Sequence, residues 1–265
     1  MRGYNSDSYG DGFADVYDDW YSNVTDVDAT VARMVELACA GGRVLELGVG
    51  TGRLAVPMAQ AGLTVTGVDS SAAMLEQLTR RDPANTVVAV HGDMVDDLPP
   101  GPFDAALVAY NTIFNLPDEA RQREFFEVVA QRLRPGGAFV VEADVPDTSN
   151  GQGSVVALRS MTVNQVVLSV SEQWPDEQRA SGQFIQLSEE GGVRLRPWSI
   201  RWASPDQLDS MATAAGLTLE SRWDDMARTT YDEQHGRHVS TYRKSESRPD
   251  AANLSEPECR GAADA

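Results

Sequence analysis

Cysteine is nearly absent from this 265-residue chain. Its two residues, Cys39 and Cys259, make neither a disulfide framework nor a zinc cluster. Basic side chains are also scarce, 22 Lys and Arg against 40 Asp and Glu, for a formal charge of −18. A surface this acidic repels phosphate and argues against a DNA or RNA substrate unless a local basic groove exists. The densest basic groups, Arg80–Arg81 and Arg194/Arg196, stand among acids. No apolar run is long enough to span a membrane, and the opening Met1-Arg-Gly-Tyr-Asn-Ser-Asp is too polar for a secretory leader. His235 and His238 stand together before the last expected strand, but no third ligand accompanies them, so no metal site is expected. What remains is the expectation of a soluble cytoplasmic protein, with neither nucleic acid nor membrane as partner.

Strand and helix patterns alternate in the middle of the chain. Strands are expected near 43–47, 64–68, 86–90, 103–109 and 137–142, with helices near 52–61, 71–80 and 118–133 between them. That order predicts an α/β fold with a parallel sheet covered on both faces. Ala29 to Ala40 reads as an earlier amphipathic helix containing Cys39, and Arg134-Pro-Gly-Gly137 as the break before the fifth strand. After Pro146 the period changes to two. Segments 154–159, 163–171, 182–188 and 193–202 alternate apolar and polar residues, which predicts an antiparallel β insert after the fifth strand. Ser204-Pro205 opens a further helix and Gly216 closes it. Leu217–Trp223 and His238–Arg243 then read as strands pairing antiparallel at the end of the main sheet. From Ser245 onward apolar content almost vanishes, and a disordered tail is expected.

The stretch Val44-Leu-Glu-Leu-Gly-Val-Gly-Thr-Gly-Arg53 is the most informative part of the sequence. A buried strand runs into a glycine-rich turn and then a helix start. Thr64-Val-Thr-Gly-Val-Asp69 follows as a second strand ending in a carboxylate. This arrangement builds a nucleoside pocket at the carboxyl edge of a parallel sheet. Glycines admit a ligand where any Cβ would collide with it, and Asp69 can accept from both ribose hydroxyls. A dinucleotide site spaces its glycines G-x-G-x-x-G to face a pyrophosphate. Here Gly52 comes one residue early and Arg53 follows, which favours a nucleoside without phosphate. A nicotinamide-dependent oxidoreductase stays as the weaker alternative.

Taken together, these elements resemble class I S-adenosylmethionine-dependent methyltransferases from about residue 9 to residue 244. The matching motifs are Glu46-Leu-Gly48-Val-Gly50-Thr-Gly52, Asp69, Ser70-Ser-Ala-Ala-Met74, His91-Gly-Asp93-Met94, Phe103 to Asn111, and Leu133-Arg-Pro-Gly-Gly137. The resemblance implies a Rossmann-like core with a final antiparallel strand. It implies S-adenosylmethionine as cofactor and S-adenosylhomocysteine as product. Glu46 would order the loop and face the cofactor's amino group, and Asp93 would meet the adenine amino group. Met74 and Met94 suit core packing and adenine contact equally. The amino-terminal Phe13-Ala-Asp-Val-Tyr17-Asp-Asp-Trp20-Tyr21 is similar to the lid of small-molecule methyltransferases, which sets Tyr17, and with it Tyr21, near the methionine portion. Residues 1–42 are then a helical lid, 43–146 the cofactor-binding core, 147–203 the insert, 204–244 the completion of the core and 245–265 the tail.

Tyr110 and Asn111, at the exit of the fourth strand, are expected to floor the reaction centre. Glu142 and Asp144 end the fifth strand, where acceptors bind, and His238 is the candidate base. The Asn/Asp-Pro-Pro-aromatic motif of nucleic-acid base methylation is missing, as is the acid pattern of magnesium-dependent catechol methylation. The expected activity is methyl transfer to an amine or hydroxyl of a small metabolite or short peptide, in secondary metabolism. A homodimer joined through the insert is consistent with the resemblance. A non-methylating S-adenosylmethionine-binding protein is the alternative.

Overall fold

The computed structural model describes residues 1–22, 24–149 and 151–246. Two short helices, α1 (Ser8–Phe13) and α2 (Tyr17–Trp20), precede α3 (Val27–Ala38). Asp26 starts α3 by accepting a hydrogen bond from the Ala29 amide at 3.0 Å. Thr30, Arg33, Met34, Leu37 and Ala38 bury one face at helical spacing. The helix begins and ends two residues before the span read from periodicity. Cys39 is its cap, at φ +62°, and not an interior residue.

The main sheet has seven strands. They are β1 (Arg43–Leu47), β2 (Thr64–Asp69), β3 (Val88–His91), β4 (Phe103–Val108), β5 (Leu133–Asp144), β10 (Leu217–Trp223) and β11 (Arg237–Lys244). Their spatial order is β10-β11-β5-β4-β1-β2-β3. The pairs among β1 to β5 are parallel, and β11 is antiparallel to both β5 and β10. The chain lays β1, β2 and β3 to one side and then returns to place β4 on the other flank of β1. That reversal opens a crevice beyond the carboxyl ends of β1 and β4.

Helices α4 (Ala55–Gln60), α5 (Ala72–Arg81), α6 (Glu119–Arg132) and α7 (Pro205–Ala214) complete the main body. One apolar cluster joins Phe125, Phe126, Phe139, Leu208 and Tyr242; another joins Met34, Met58, Val65, Leu107 and Val140. Successive residues of β5, Phe139 and Val140, fall in different clusters, as the strand period requires. Each fully buried large apolar side chain is worth about 1.5–3 kcal/mol, which sets these strand ends on a rigid base. β5 departs from expectation. It begins at Leu133, and the register jumps from Phe103↔Leu133 to Ala105↔Ala138. The Pro-Gly-Gly break is thus absorbed as an irregularity within the strand, with Gly136 at φ +70°.

The insert is a separate antiparallel sheet of β6 (Gly153–Met161), β7 (Gln165–Trp174), β8 (Arg179–Ser188) and β9 (Gly192–Arg201), in that order. Trp202 is buried in the main core and Trp198 packs against it, so both tryptophans serve packing. The expected tail at 245–265 lies outside the described residues apart from Ser245 and Glu246.

Candidate active site

The crevice at the sheet's switch point holds a cavity of about 410 Å³ whose floor is the glycine loop. The amides of Gly48 and Val49 both donate to the Val68 carbonyl, at 2.8 and 3.0 Å, which pins the loop to the end of β2. Gly48 has φ +72°, and a Cβ there would stand 2.4 Å from Thr112 Cγ2. At Gly50 the nearest atom to an added Cβ is Met74 Sδ at 4.0 Å, so a side chain would occupy the ligand space itself. Gly52 differs from both. Its added Cβ would strike Leu78 Cδ1 at 2.2 Å, and the residue does not line the cavity. It lets the turn pack closely on α4 and α5, through Val56 and Leu78, which corrects its assignment to the cofactor.

Asp69 is held by two amides, Gly50 to Oδ2 at 2.8 Å and Ser71 to Oδ1 at 2.9 Å. Burial pushes its pKa upward and the two amides oppose that shift. Each oxygen retains a lone pair, which suits a ligand bringing two adjacent hydroxyls. Asp93, Met74 and Met94 also line the cavity. Asp93 Oδ1 accepts from the Val95 amide and from Arg121 Nη2, both at 2.8 Å. Ser70 borders the cavity as well, but its hydroxyl donates to the Ser6 carbonyl at 2.9 Å and so ties down the amino-terminal segment.

A narrower crevice continues past Gly48 and Gly50, walled by Glu46, Arg53, Tyr17, Tyr110 and Thr112. Glu46 is 3 % exposed, and its Oε2 has no hydrogen-bond partner. Nε and Nη1 of Arg53 are likewise buried and unpartnered. Burial raises the Glu46 pKa from the ordinary 4.5 to about 8, partly opposed by the Arg53 charge. Buried polar atoms without partners are costly. An acid and a guanidinium left open beside one crevice match the ammonium and carboxylate of an α-amino acid. The two cavities together therefore fit a nucleoside bearing an amino-acid arm. Arg53 carried no motif signal beyond following the loop.

The amino-terminal segment roofs this space. Asp18 accepts from Thr51 Oγ1 at 2.7 Å and pairs with Arg81. Ser71 Oγ donates to Asp11 at 2.6 Å. On the other side Arg196, fully buried, binds Asp15 Oδ1 at 2.6 Å and Oδ2 at 3.0 Å. Tyr17 borders both cavities. Tyr21 lines neither but packs on Tyr17 and Tyr110, with ring centroids 5.0 and 5.9 Å apart. Tyr9, overlooked in the sequence because nothing in its spacing marks it, lines the cavity and hydrogen-bonds Tyr21. Burial raises the pKa of Tyr9, Tyr17 and Tyr110 alike.

None of the three residues expected to be catalytic lines either cavity, although the Asn111 amide donates to the Glu142 carbonyl at 3.2 Å. Asn111 sits at φ +62°, and its Oδ1 accepts from the Asp144 amide at 2.6 Å, so its side chain is committed to the turn. His238 lies within β11, fully buried, and lines neither cavity. Its Nδ1 is 2.9 Å from Ser240 Oγ, and burial pushes its pKa down to about 4. A proton acceptor sealed inside the sheet cannot reach a substrate, which corrects its assignment as base. Glu142 is 9 % exposed, and its Oε2 accepts from Thr25 Oγ1 at 3.2 Å and from the Tyr110 amide at 3.1 Å. Among the described residues no cluster of three His, Cys, Asp or Glu could hold a metal ion.

Comparison with known proteins sharpens this picture. Residues 44–137 match a family model described as a methyltransferase domain. Over 182 residues the chain is 28 % identical to the cypemycin N-terminal methyltransferase of a Streptomyces species, covering 68 % of this chain and 74 % of that one. It is 30 % identical over 189 residues to the ubiquinone biosynthesis O-methyltransferase of Caulobacter strain K31, covering 64 % and 69 %. Among solved structures, the CcbJ methyltransferase from Streptomyces caelestis superimposes with a TM-score of 0.83 at 37 % identity. That alignment covers 91 % of this chain and all of CcbJ.

Proposed function

The chain belongs to the class I S-adenosylmethionine-dependent methyltransferases, and from that premise we propose that it methylates an amine on a small molecule or short peptide in secondary metabolism. The cofactor, when bound, supplies an activated methyl group on a sulfonium, open to in-line displacement. The chain's part is then to hold and align. Asp69 takes the ribose hydroxyls and Asp93, with Met74 and Met94, the adenine. Glu46 and Arg53 hold the two charged ends of the methionine arm. The segment through Tyr21 acts as a lid, and the tyrosines at its inner face exclude water and attract the cation, whereas α3, within the expected 1–42 lid, packs into the main core.

The observation that carries the preference for nitrogen is that, among the described residues lining the two cavities, there is no histidine and no carboxylate beyond Asp69, Asp93 and Glu46, which are given to the cofactor. Tyr9, Tyr17 and Tyr110 have pKa values raised by burial and stay neutral at physiological pH. Glu142 is engaged by two donors, and His238 is sealed away. A neutral amine attacks without a base, whereas a hydroxyl requires one. The net charge of −18 also favours the approach of a cationic acceptor over an anionic one. Transfer of labelled methyl to a panel of amines, phenols and carboxylates tests this. Methylation of phenols with amines inert would overturn the nitrogen assignment, and no transfer to any acceptor would favour a non-methylating binding protein.

The insert supports pairing with a second copy of the chain. Its outer face carries the cross-strand rows Leu158-Leu168-Ile185-Leu195 and Met161-Val166-Leu187-Val193. Val156, Met161 and Val193 are each about 70 % exposed, at 70 %, 68 % and 68 %. Exposed apolar rows of this kind on so acidic a chain support an interface there. A second copy meets these rows without apposing like charges. As to location, no helix among the described residues is long and apolar enough to cross a membrane.

A further inference from the structure

Tyr110 and Asn111 leave β4 with φ values of +43° and +62°, two consecutive non-glycine residues in the left-handed region. Such a conformation persists only where its surroundings impose it. Here the restraint comes from Glu142. Its Oε2 accepts from the Tyr110 amide at 3.1 Å and its carbonyl from the Asn111 amide at 3.2 Å. The same Oε2 accepts from Thr25 Oγ1 at 3.2 Å, and Thr25 Oγ1 in turn accepts from Arg53 Nη2 at 3.4 Å. Thr25 and Glu142 are 7 % and 9 % exposed, so no bulk water competes for these contacts. One hydroxyl thus joins the guanidinium at the cofactor crevice to the carboxylate that shapes the acceptor-side turn. Tyr110 walls that crevice and packs on Tyr21 of the lid.

We propose that Glu142 is a positioning residue, and that Arg53, Thr25, Glu142 and the Tyr110 amide form a relay that tightens the acceptor-side turn when the methionine crevice fills. The inference rests on the reading of that crevice as the cofactor's amino-acid subsite. A carboxylate drawn to Arg53 Nε and Nη1 fixes the guanidinium. A fixed guanidinium fixes the Thr25 hydroxyl, and Glu142 then holds Tyr110 in one orientation. Glu142 transfers no proton in this scheme. Its need is for an acceptor oxygen at Oε2, which a glutamine supplies equally well. Cofactor binding would therefore precede and favour acceptor binding, the free energy of coupling passing through this short buried chain.

Amide hydrogen exchange at Tyr110 and Asn111, read by nuclear magnetic resonance on the full chain, tests the relay with S-adenosylhomocysteine as the probe. Saturating probe is expected to slow Tyr110 exchange about tenfold in the parent, because the opening of that turn is suppressed. Thr25→Val keeps the side-chain volume and removes the bridging hydroxyl. At saturating probe it should retain less than about twofold of that slowing. Glu142→Gln should keep the full effect, and Glu142→Leu should exchange fast with or without probe. Full slowing in Thr25→Val, or equal behaviour of the Gln and Leu variants, would overturn the relay. Normal calorimetric binding of the probe to the parent with Tyr110 exchange unchanged would defeat the relay and leave the cofactor reading intact. No binding to the parent would remove both.

Discussion

Glu46 allows a quantitative test of how this site receives its cofactor. In the open crevice its pKa stands at about 8 against an ordinary 4.5, chiefly because burial penalises the charge. The unfolded chain loses this proton first, so between pH 4.5 and 8 the native state holds the extra proton. Native stability without ligand therefore falls as pH rises through that window. At pH 7 the gap of roughly 2.5 units corresponds to about 3 kcal/mol. A ligand ammonium at Glu46 favours the ionised form, so binding below pH 8 expels a proton. Affinity for S-adenosylhomocysteine should then climb by up to about tenfold per pH unit from pH 6 to 8 and level off above. Calorimetry in buffers of different ionisation enthalpy counts the proton directly. About one should leave at pH 6.5, with the number dwindling above pH 8. Glu46→Gln should flatten both the affinity profile and the fall in stability. An affinity independent of pH with no proton released would refute the placement of the ammonium at Glu46.

The remaining expectations concern other parts of the fold. Asp69→Ala should weaken S-adenosylhomocysteine binding by about ten- to a hundredfold, the worth of a charge-assisted pair of hydrogen bonds, measured by calorimetry. His238 has its pKa depressed to about 4. The unfolded chain therefore takes up the proton first as pH falls below 6.5, and stability is lost between pH 6.5 and 4, by about 3 kcal/mol. His238→Gln should reduce that loss in melts followed against pH, while methyl-transfer rates stay within about twofold; a hundredfold drop in kcat would restore its role as base. Leu195→Glu places a charge in the outer apolar rows of the insert and should yield monomers by light scattering, with the melting temperature little changed. Dimers persisting in that variant would place the interface elsewhere.

Much of the fold was legible because it rests on local signals. Apolar runs such as Val44-Leu45 and Ala105–Val108, ended by glycine or asparagine turns, are buried parallel strands and announce themselves as such. The insert was legible from strict alternation, although each of its strands runs one to three residues longer at some end than the pattern showed. The Pro-Gly-Gly segment misled, since a breaker can be accommodated inside a strand when its partner strand shifts register. Half of the site was equally plain. Gly48, Gly50, Asp69 and Asp93 follow strands in a fixed order, and sequence spacing alone puts them at one edge. The other half was hidden because it depends on long-range contacts. Thr25 meets Glu142 across 117 residues, and Arg196 meets Asp15 across 181. His238 opens the expected last strand, but the burial of its ring was not legible, because it depends on Ser240 and on the strands packed around it.

A crystal structure of the chain with S-adenosylhomocysteine tests the central claim most directly. Ribose oxygens on the Asp69 carboxylate, with the amino-acid arm lying between Glu46 and Arg53, are the expected result. A fully liganded solution in which the arm points away from both charges, or a crevice that stays filled by the protein's own side chains, would contradict it.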